Sequence, residues 1–255
     1  MRDCRTPLSL LTLNLWHDAP PVERVRVQRD LIENLSPDVI GFQEVLREGS
    51  TCQAESLLAG LGYQVAYGEV VPFWKRDGVL YGNAIASRLP ILRTTNAALP
   101  RGASSERRSV VCTELAGATG RLFVACTHLH HREPEIRALQ LRAGLRTFRD
   151  FCGESGGELR FFLGDLNSSP GMECTPLLSP DFRDAFEEAG SGDGLTWSRE
   201  NPYAVVSQPP GVRIDYIWSA RDADLEIKSC EVVGREPSAG VFASDHFGVF
   251  ARYRL

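Results

Sequence analysis

The sequence predicts an α/β protein in which more than one β-sheet is stacked face to face and covered by helices. Roughly ten short apolar runs rich in β-branched and aromatic residues exceed what one sheet ordinarily holds. A few amphipathic patterns of helical period are scattered among them. No long linker or low-complexity segment divides the chain, which predicts a single domain over 1–255.

In order along the chain, the strands are expected at 8–15 (LSLLTLNL), 38–45 (DVIGFQEV), 63–68 (YQVAYG), 82–87 (GNAIAS) and 109–115 (SVVCTEL). They continue at 121–129 (RLFVACTHL), 159–165 (LRFFLGD), 212–219 (VRIDYIWS), 225–233 (LEIKSCEVV) and 247–255 (FGVFARYRL), bounded by turn residues. A helix over 22–35 places Val25, Ile32 and Leu35 on one face. Another over 135–151 spaces Leu141, Leu145 and Phe148 as i, i+4 and i+7, and 53–61 reads as a third.

A chain of 255 residues with 43% hydrophobic and 24% charged residues has ordinary globular composition. Its net charge of −5 gives no general attraction to nucleic acid or anionic lipid. Seven cysteines (Cys4, Cys52, Cys112, Cys126, Cys152, Cys174 and Cys230) are scattered without a CxxC pair, several inside apolar runs. That usage indicates buried small hydrophobes in a reducing compartment and argues against a structural zinc site. The N-terminal stretch MRDCRTPLSLLTLNLW has basic residues ahead of an apolar run, but Asn14 interrupts it and no small-residue cleavage site follows. No run approaches the ~20 apolar residues of a membrane span. The expectation is a soluble, cytoplasmic monomer.

The informative anomaly is where polarity sits. RFFLGDLNSSP (160–170) runs from an apolar strand straight into Asp165 and Asn167, and the same happens elsewhere. LTLNLW ends with Asn14, VIGFQEV with Gln43 and Glu44, and FVACTHLHH with His128; VRIDYIW buries Asp215, and ASDHFGVF sets Asp245 and His246 just before the last strand. Singly, each has an ordinary explanation as a turn residue, an exposed strand end or a hydrogen-bonded core histidine. Asp215 between Ile214 and Tyr216 is the hardest to explain so, because a buried carboxylate needs a partner. Strand ends at one edge of a sheet layer converge, so these residues could line one pocket. Carboxylate and carboxamide oxygens suit a hard cation such as Mg²⁺ or Mn²⁺. Such a pocket predicts metal-assisted attack of water on phosphorus.

TLNLW, QEV, GNAIASRLPI, THL, GDLNSSP, RIDYI and SDHFGV, in this order from Leu10 to Val249, resemble the endonuclease/exonuclease/phosphatase superfamily. The resemblance implies a four-layer α/β/β/α sandwich with two central mixed β-sheets, a DNase I-like fold, with a divalent-metal site and phosphoester hydrolysis. Carried over by motif, Glu44 is the main metal ligand, with Asn14 beside it and Asp245 nearby. Asp165 orients or deprotonates the attacking water, and Asn167 binds the phosphoryl oxygens. His246, oriented by Asp215, contacts the phosphate. His128 holds another phosphoryl oxygen or assists the leaving group. Whether Asp165 or His246 is the base stays open at this level.

Substrate choice must come from segments between these motifs. Phe73, Trp74, Lys75 and Arg76 could stack on bases, meet a lipid headgroup, or cap the sheet. Arg107 and Arg108 lead into a strand, and Arg108 could reach the phosphate. His130, His131 and Arg132 extend THL to the THLH form of neutral sphingomyelinases, which GVRIDYIW also resembles, and His130 is a candidate substrate contact. Thr196, Trp197 and Asn201 resemble a substrate-facing loop, with Trp197 able to stack on a base or sugar. The expected activity is a Mg²⁺- or Mn²⁺-dependent phosphodiesterase acting on a small or lipid-derived substrate. A nuclease or DNA-end phosphodiesterase is the enzymatic alternative and requires a positive groove of Arg88, Arg107, Arg108 and Arg132. A non-catalytic binding protein on the same fold is the alternative from another class.

Overall fold

The computed structural model describes residues 6–18, 22–73, 75–153, 158–207 and 210–255; Cys4 and Trp74 lie outside them. In chain order the elements are β1 (Pro7–Asn14), α1 (Val22–Leu35), β2 (Val39–Glu48), α2 (Gln53–Leu57), β3 (Gln64–Pro72), β4 (Val79–Ser87), β5 (Ile91–Ala98), β6 (Ser109–Gly117) and β7 (Gly120–His128). There follow α3 (Pro134–Cys152), β8 (Leu159–Asp165), α4 (Thr175–Leu178), β9 (Phe182–Asp184), α5 (Ala185–Ala189), β10 (Asp215–Ala220), β11 (Glu226–Val233) and β12 (Gly248–Arg254).

Two sheets form. The first has the order β11-β12-β1-β2-β4-β3, with Thr51–Cys52 as a short seventh strand on β2; the second has the order β9-β10-β8-β7-β6-β5. Both are mixed: β1 runs parallel to β2 and β7 parallel to β8, and the other pairings are antiparallel. Alternation along β1 shows how the layers stack. Leu8 and Leu10 enter the core shared with the second sheet, whereas Leu11 and Leu13 pack in the cluster that holds Ile32 of α1. Beyond the second sheet, Phe148 of α3 meets Phe162 of β8 edge to face. Helix, sheet, sheet and helix make the expected four-layer α/β/β/α sandwich with a DNase I-like fold. Side chains such as Phe42, Phe161 and Phe250 are fully buried, each worth about 1.5–3 kcal/mol, which offsets the cost of charges gathered at one end.

Some expectations change. The helix over 53–61 stops at Leu57, since Gly60 and Gly62 take positive φ and turn the chain into β3. The strand over 212–219 starts only at Asp215; Gly211–Val212 instead pairs with Trp197–Ser198. β5, β9, α4 and α5 lack a sequence counterpart. Between β7 and β8 the backbones come unusually close at Gly164, where φ is 135° and a Cβ would lie 2.0 Å from the Thr127 carbonyl oxygen. Among the described residues, the cysteines Cys52, Cys112, Cys126, Cys152, Cys174 and Cys230 are free and buried, and no helix is long and apolar enough to cross a membrane.

Candidate active site

Period-two alternation decides which strand ends meet. Asn14 shares the face of Leu8 and Leu10, toward the second sheet. On β8, Phe161 packs on Tyr253 of β12 across the gap, so Asp165, four residues on, points the same way. Asp215 stands opposite Asp165 in antiparallel register and His128 opposite it in parallel register. Asn14 Nδ2 donates to Asp165 Oδ2 at 3.3 Å, joining the two sheets through polar groups.

Glu44 reaches this face by a different device. Phe42 and Val45 both face α1's side of the first sheet, and Gln43 turns inward to hydrogen-bond Thr12. Strict alternation would send Glu44 outward. The register of β2 against β4 instead shifts between Phe42 and Val45, and Glu44 takes φ 59°, so a bulge aims a second consecutive residue inward. This left-handed backbone costs on the order of 1–3 kcal/mol, strain of a kind concentrated at functional sites. The His17 amide donates to Glu44 Oε2 at 2.8 Å and the His17 ring contacts the same oxygen, while Oε1 lies 3.8 Å from His128 Nδ1. Burial opposes ionisation, yet His17 holds the Glu44 carboxyl well below the usual carboxylate range.

The two histidines differ in charge. His246 Nδ1 lies 2.9 Å from Asp215 Oδ2, and its Nε2 is 3.8 Å from Asp165 Oδ2. Burial disfavours its cation, but Asp215 and Asp165 outweigh that and hold its pKa well above the ordinary histidine range. His128 Nε2 is 3.4 Å from the same Asp165 oxygen. Burial, helped by the Arg108 charge, holds its pKa well below the ordinary range, so His128 is neutral. Asp165 itself is pushed up to about 7 by burial and then by Asp215. Burial and the Glu44 charge push Asp245 up to about 6.

Supporting groups hold these side chains in place. Thr196 Oγ1 accepts from the amides of Ile214 and Asp215, and Asn201 Nδ2 donates to the Ser244 carbonyl at 2.8 Å. Gln28 of α1 donates to the carbonyls of Leu15 and Ala243. Thr196 and Asn201 are fully buried, so they brace the Asp215 and Asp245 loops; the substrate-facing placement expected for them is corrected. Their polar atoms go to backbone groups that burial would otherwise leave unpaired.

The donor set fits a hard divalent cation. Glu44 and Asp245 offer carboxylate oxygens and Asn14 a carboxamide oxygen, and no thiol is among them. Asp165 and Asp215 are both buried, and Asp215 Oδ1 has no hydrogen-bond partner among the described residues. Ligand atoms of Asp165, Asp215 and His246 also lie within 4.8 Å of one another. A cation there would have to displace the proton that His246 shares with Asp215, so the Glu44 corner is the better seat. Glu106, His130 and His131 form a second such group. There, His130 Nδ1 accepts from the amides of Arg132 and Glu133 at 3.2 and 3.0 Å, which leaves the proton on Nε2, facing Ser104 and Glu106. That nitrogen is not free to bind metal.

Asn14, Glu44, His128, Asp165, Asp215 and His246 thus converge, and the Asn167 amide donates to Asp165 Oδ1 at 2.9 Å. Asp245 is the neighbour of His246 and lies within electrostatic range of Glu44. The Trp197 ring packs on His246 with centroids 4.7 Å apart, at the edge of the group. Arg108 is buried, ion-paired to Glu106, and donates to the Tyr81 hydroxyl at 3.1 Å. His130 is buried as the anchor of its own loop, with its ring and backbone amide bonded to Ser104, Glu106, Arg132, Glu133 and Gln140. Phe73 is buried against Val79 and Tyr81. Arg88 lies at the start of β2, beside the Val39–Ser87 pair, at the opposite end of the sheet, which removes it from the expected groove. His17, Tyr81 and Glu106 belong to the site although no motif marks them. Tyr81 alternates with Asn83 on one face of β4, the signal that could have singled it out.

Known proteins share this fold. The model of the Endonuclease/Exonuclease/phosphatase family matches residues 11–246. The fold superposes on an endonuclease/exonuclease/phosphatase from Beutenbergia cavernae with TM-score 0.76 and 23% identity, over 98% of this chain and 72% of that one. It superposes on D. rerio TDP2, solved with a single-strand DNA product, with TM-score 0.79 and 20% identity, over 98% and 100% of the two chains. A Bacteroides vulgatus endonuclease/exonuclease/phosphatase gives TM-score 0.77 and 19% identity, over 98% and 100%. No protein of curated function matches by sequence. With a family match that spans the strand-end residues from Asn14 to His246, the chain belongs to the endonuclease/exonuclease/phosphatase family, whose members are metal-dependent phosphoesterases.

Proposed function

We propose that the protein is a Mg²⁺- or Mn²⁺-dependent phosphodiesterase. The observation that carries this is one carboxylate, Asp165, flanked by a cationic His246 and a neutral His128, beside an oxygen-donor corner at Glu44. Glu44, Asn14 and Asp245 hold the cation, which when bound supplies Lewis-acid stabilisation of charge on phosphoryl oxygen. Asp165, with a pKa of about 7, accepts the proton of the attacking water near neutral pH. His246 stays protonated through Asp215, so it serves as a donor to phosphoryl oxygen and leaves the base role to Asp165. Asn167 Nδ2 donates one hydrogen to the Leu129 carbonyl at 3.1 Å and turns its other to the phosphoryl group. His128 serves a second phosphoryl oxygen or the leaving group.

A small or lipid-derived phosphodiester is the preferred substrate. Two of the four arginines required for a nucleic-acid groove are spent elsewhere: Arg88 at the far end of the sheet and Arg108 buried against Glu106. The net charge of −5 supports the same reading. DNA-end phosphodiester cleavage is the second reading, favoured by exposed Arg107 and Arg132 and by likeness to a fold solved with a single-strand DNA product. The buried free thiols support a cytoplasmic setting for a single-domain monomer.

The test is turnover of bis-p-nitrophenyl phosphate, p-nitrophenylphosphorylcholine, p-nitrophenyl phosphate and labelled single-stranded DNA, with Mg²⁺, Mn²⁺ or EDTA. EDTA-sensitive cleavage of the choline ester without DNA cleavage is expected. DNA cleavage promotes the second reading, and no turnover of any substrate returns the chain to a binding role.

A further inference from the structure

Tyr81 lies outside the strand-end motifs, yet it is buried and its hydroxyl bridges two groups of the site. Arg108 Nη1 donates to it at 3.1 Å, and His128 Nδ1 lies 3.2 Å from it. A guanidinium has only donors, so Arg108 can engage only a lone pair of the phenolic oxygen. The ion pair with Glu106 keeps Arg108 in that position. Nδ1 of His128 is an acceptor within reach of the single phenolic proton. The competing partner for Nδ1, Glu44 Oε1, stands at 3.8 Å, beyond hydrogen-bond reach. A neutral imidazole that accepts at Nδ1 carries its own proton on Nε2, the nitrogen 3.4 Å from Asp165.

We propose that Tyr81, backed by Arg108, is a positioning residue that fixes His128 as its Nε2–H tautomer. His128 then meets the phosphoryl group only as a hydrogen-bond donor and does not compete with Asp165 for the proton of water. The catalytic half of this proposal rests on the phosphodiesterase reading, whereas the tautomer does not. It also moves Arg108 from a substrate contact to a residue that acts through Tyr81.

Long-range ¹⁵N–¹H correlation spectra of the histidine rings test it directly, with His128→Gln identifying the ring. In the wild type, Nδ1 is expected in the unprotonated range and Nε2 in the protonated range. In Tyr81→Phe the two shifts draw together as the tautomers mix. A protonated Nδ1 in the wild type overturns the proposal whatever becomes of the variant, and so do unchanged shifts in a folded Tyr81→Phe. With bis-p-nitrophenyl phosphate, Tyr81→Phe should lower kcat about tenfold at constant KM, the worth of one hydrogen bond. In a His128→Gln background that loss should vanish. Equal losses in both backgrounds overturn the coupling. Shifts as expected without turnover of any phosphodiester uphold the tautomer and sink the enzymatic reading instead.

Discussion

Strands β8 and β10 lie side by side and carry charged residues at both ends, but the two ends follow opposite rules. At one end Arg160 donates to both oxygens of Asp222 at 2.6 Å in a partly exposed pair, and Arg221 covers the carbonyls of Ser179 and Phe182. At the other end Asp215 faces Asp165, two like charges in direct register and almost fully buried. Like charges opposite one another weaken a sheet, and burial aggravates it. The first end is what stability alone selects. The second is tolerated only because the core tolerates it and His246 stands between the carboxylates. The chemistry we propose belongs to the end where the charges are unmatched.

Substitution at the unmatched end should give the largest effects. Asp165→Ala and His246→Ala are each expected to lower kcat by at least about a hundredfold, with circular dichroism unchanged. Near-wild-type turnover in either would erase the distinction between the ends. Next, Glu44→Gln should weaken Mn²⁺ binding about tenfold or more in calorimetry, and an unaltered affinity would move the cation away from the bulge. A smaller effect concerns stability. In the folded protein Asp165 binds its proton more tightly than an unfolded carboxyl of about 3.8 does. Its stabilising contribution is therefore complete below about pH 4 and lost as pH rises through about 7. In metal-free protein Asp165→Asn should thus raise the melting temperature at pH 8 and change it little below about pH 4; a loss at pH 8 would show that the buried carboxylate is fully compensated. The smallest effect is expected at the matched end. Asp222→Ala should cost less than about 1 kcal/mol in urea unfolding and leave kcat unchanged.

The sequence made the architecture readable where alternation is strong. The predicted helix over 22–35 is α1 itself, and 159–165 is β8 to the residue. β5 escaped because it is half-exposed, and Arg93, Thr94, Thr95 and Asn96 leave no apolar alternation to see. The strand-end residues were legible because polarity inside an apolar run is a local signal. Tyr81 and His17 were not, since each acts through a partner far along the chain, His128 and Glu44, and Glu106 was not, since its pairing with Arg108 two residues on shows only in the folded loop. Arg108 illustrates the same limit from the other side. An arginine near a phosphate-type motif reads as a substrate contact until the fold shows Glu106 and Tyr81 already holding it.

The tight contact at Gly164 sets the mechanical tolerance of the whole assembly. His128 and Asp165 ride on adjacent rails, and the gauge between them is fixed one residue before the site by an α-carbon that bears no side chain. Residues lining a pocket can be exchanged to suit a new substrate while the rails stay put. A single added methyl at Gly164 would meet the Thr127 carbonyl and spread the rails, displacing both groups together. The narrowest dimension of this site therefore lies in its chassis, behind the groups that face the substrate.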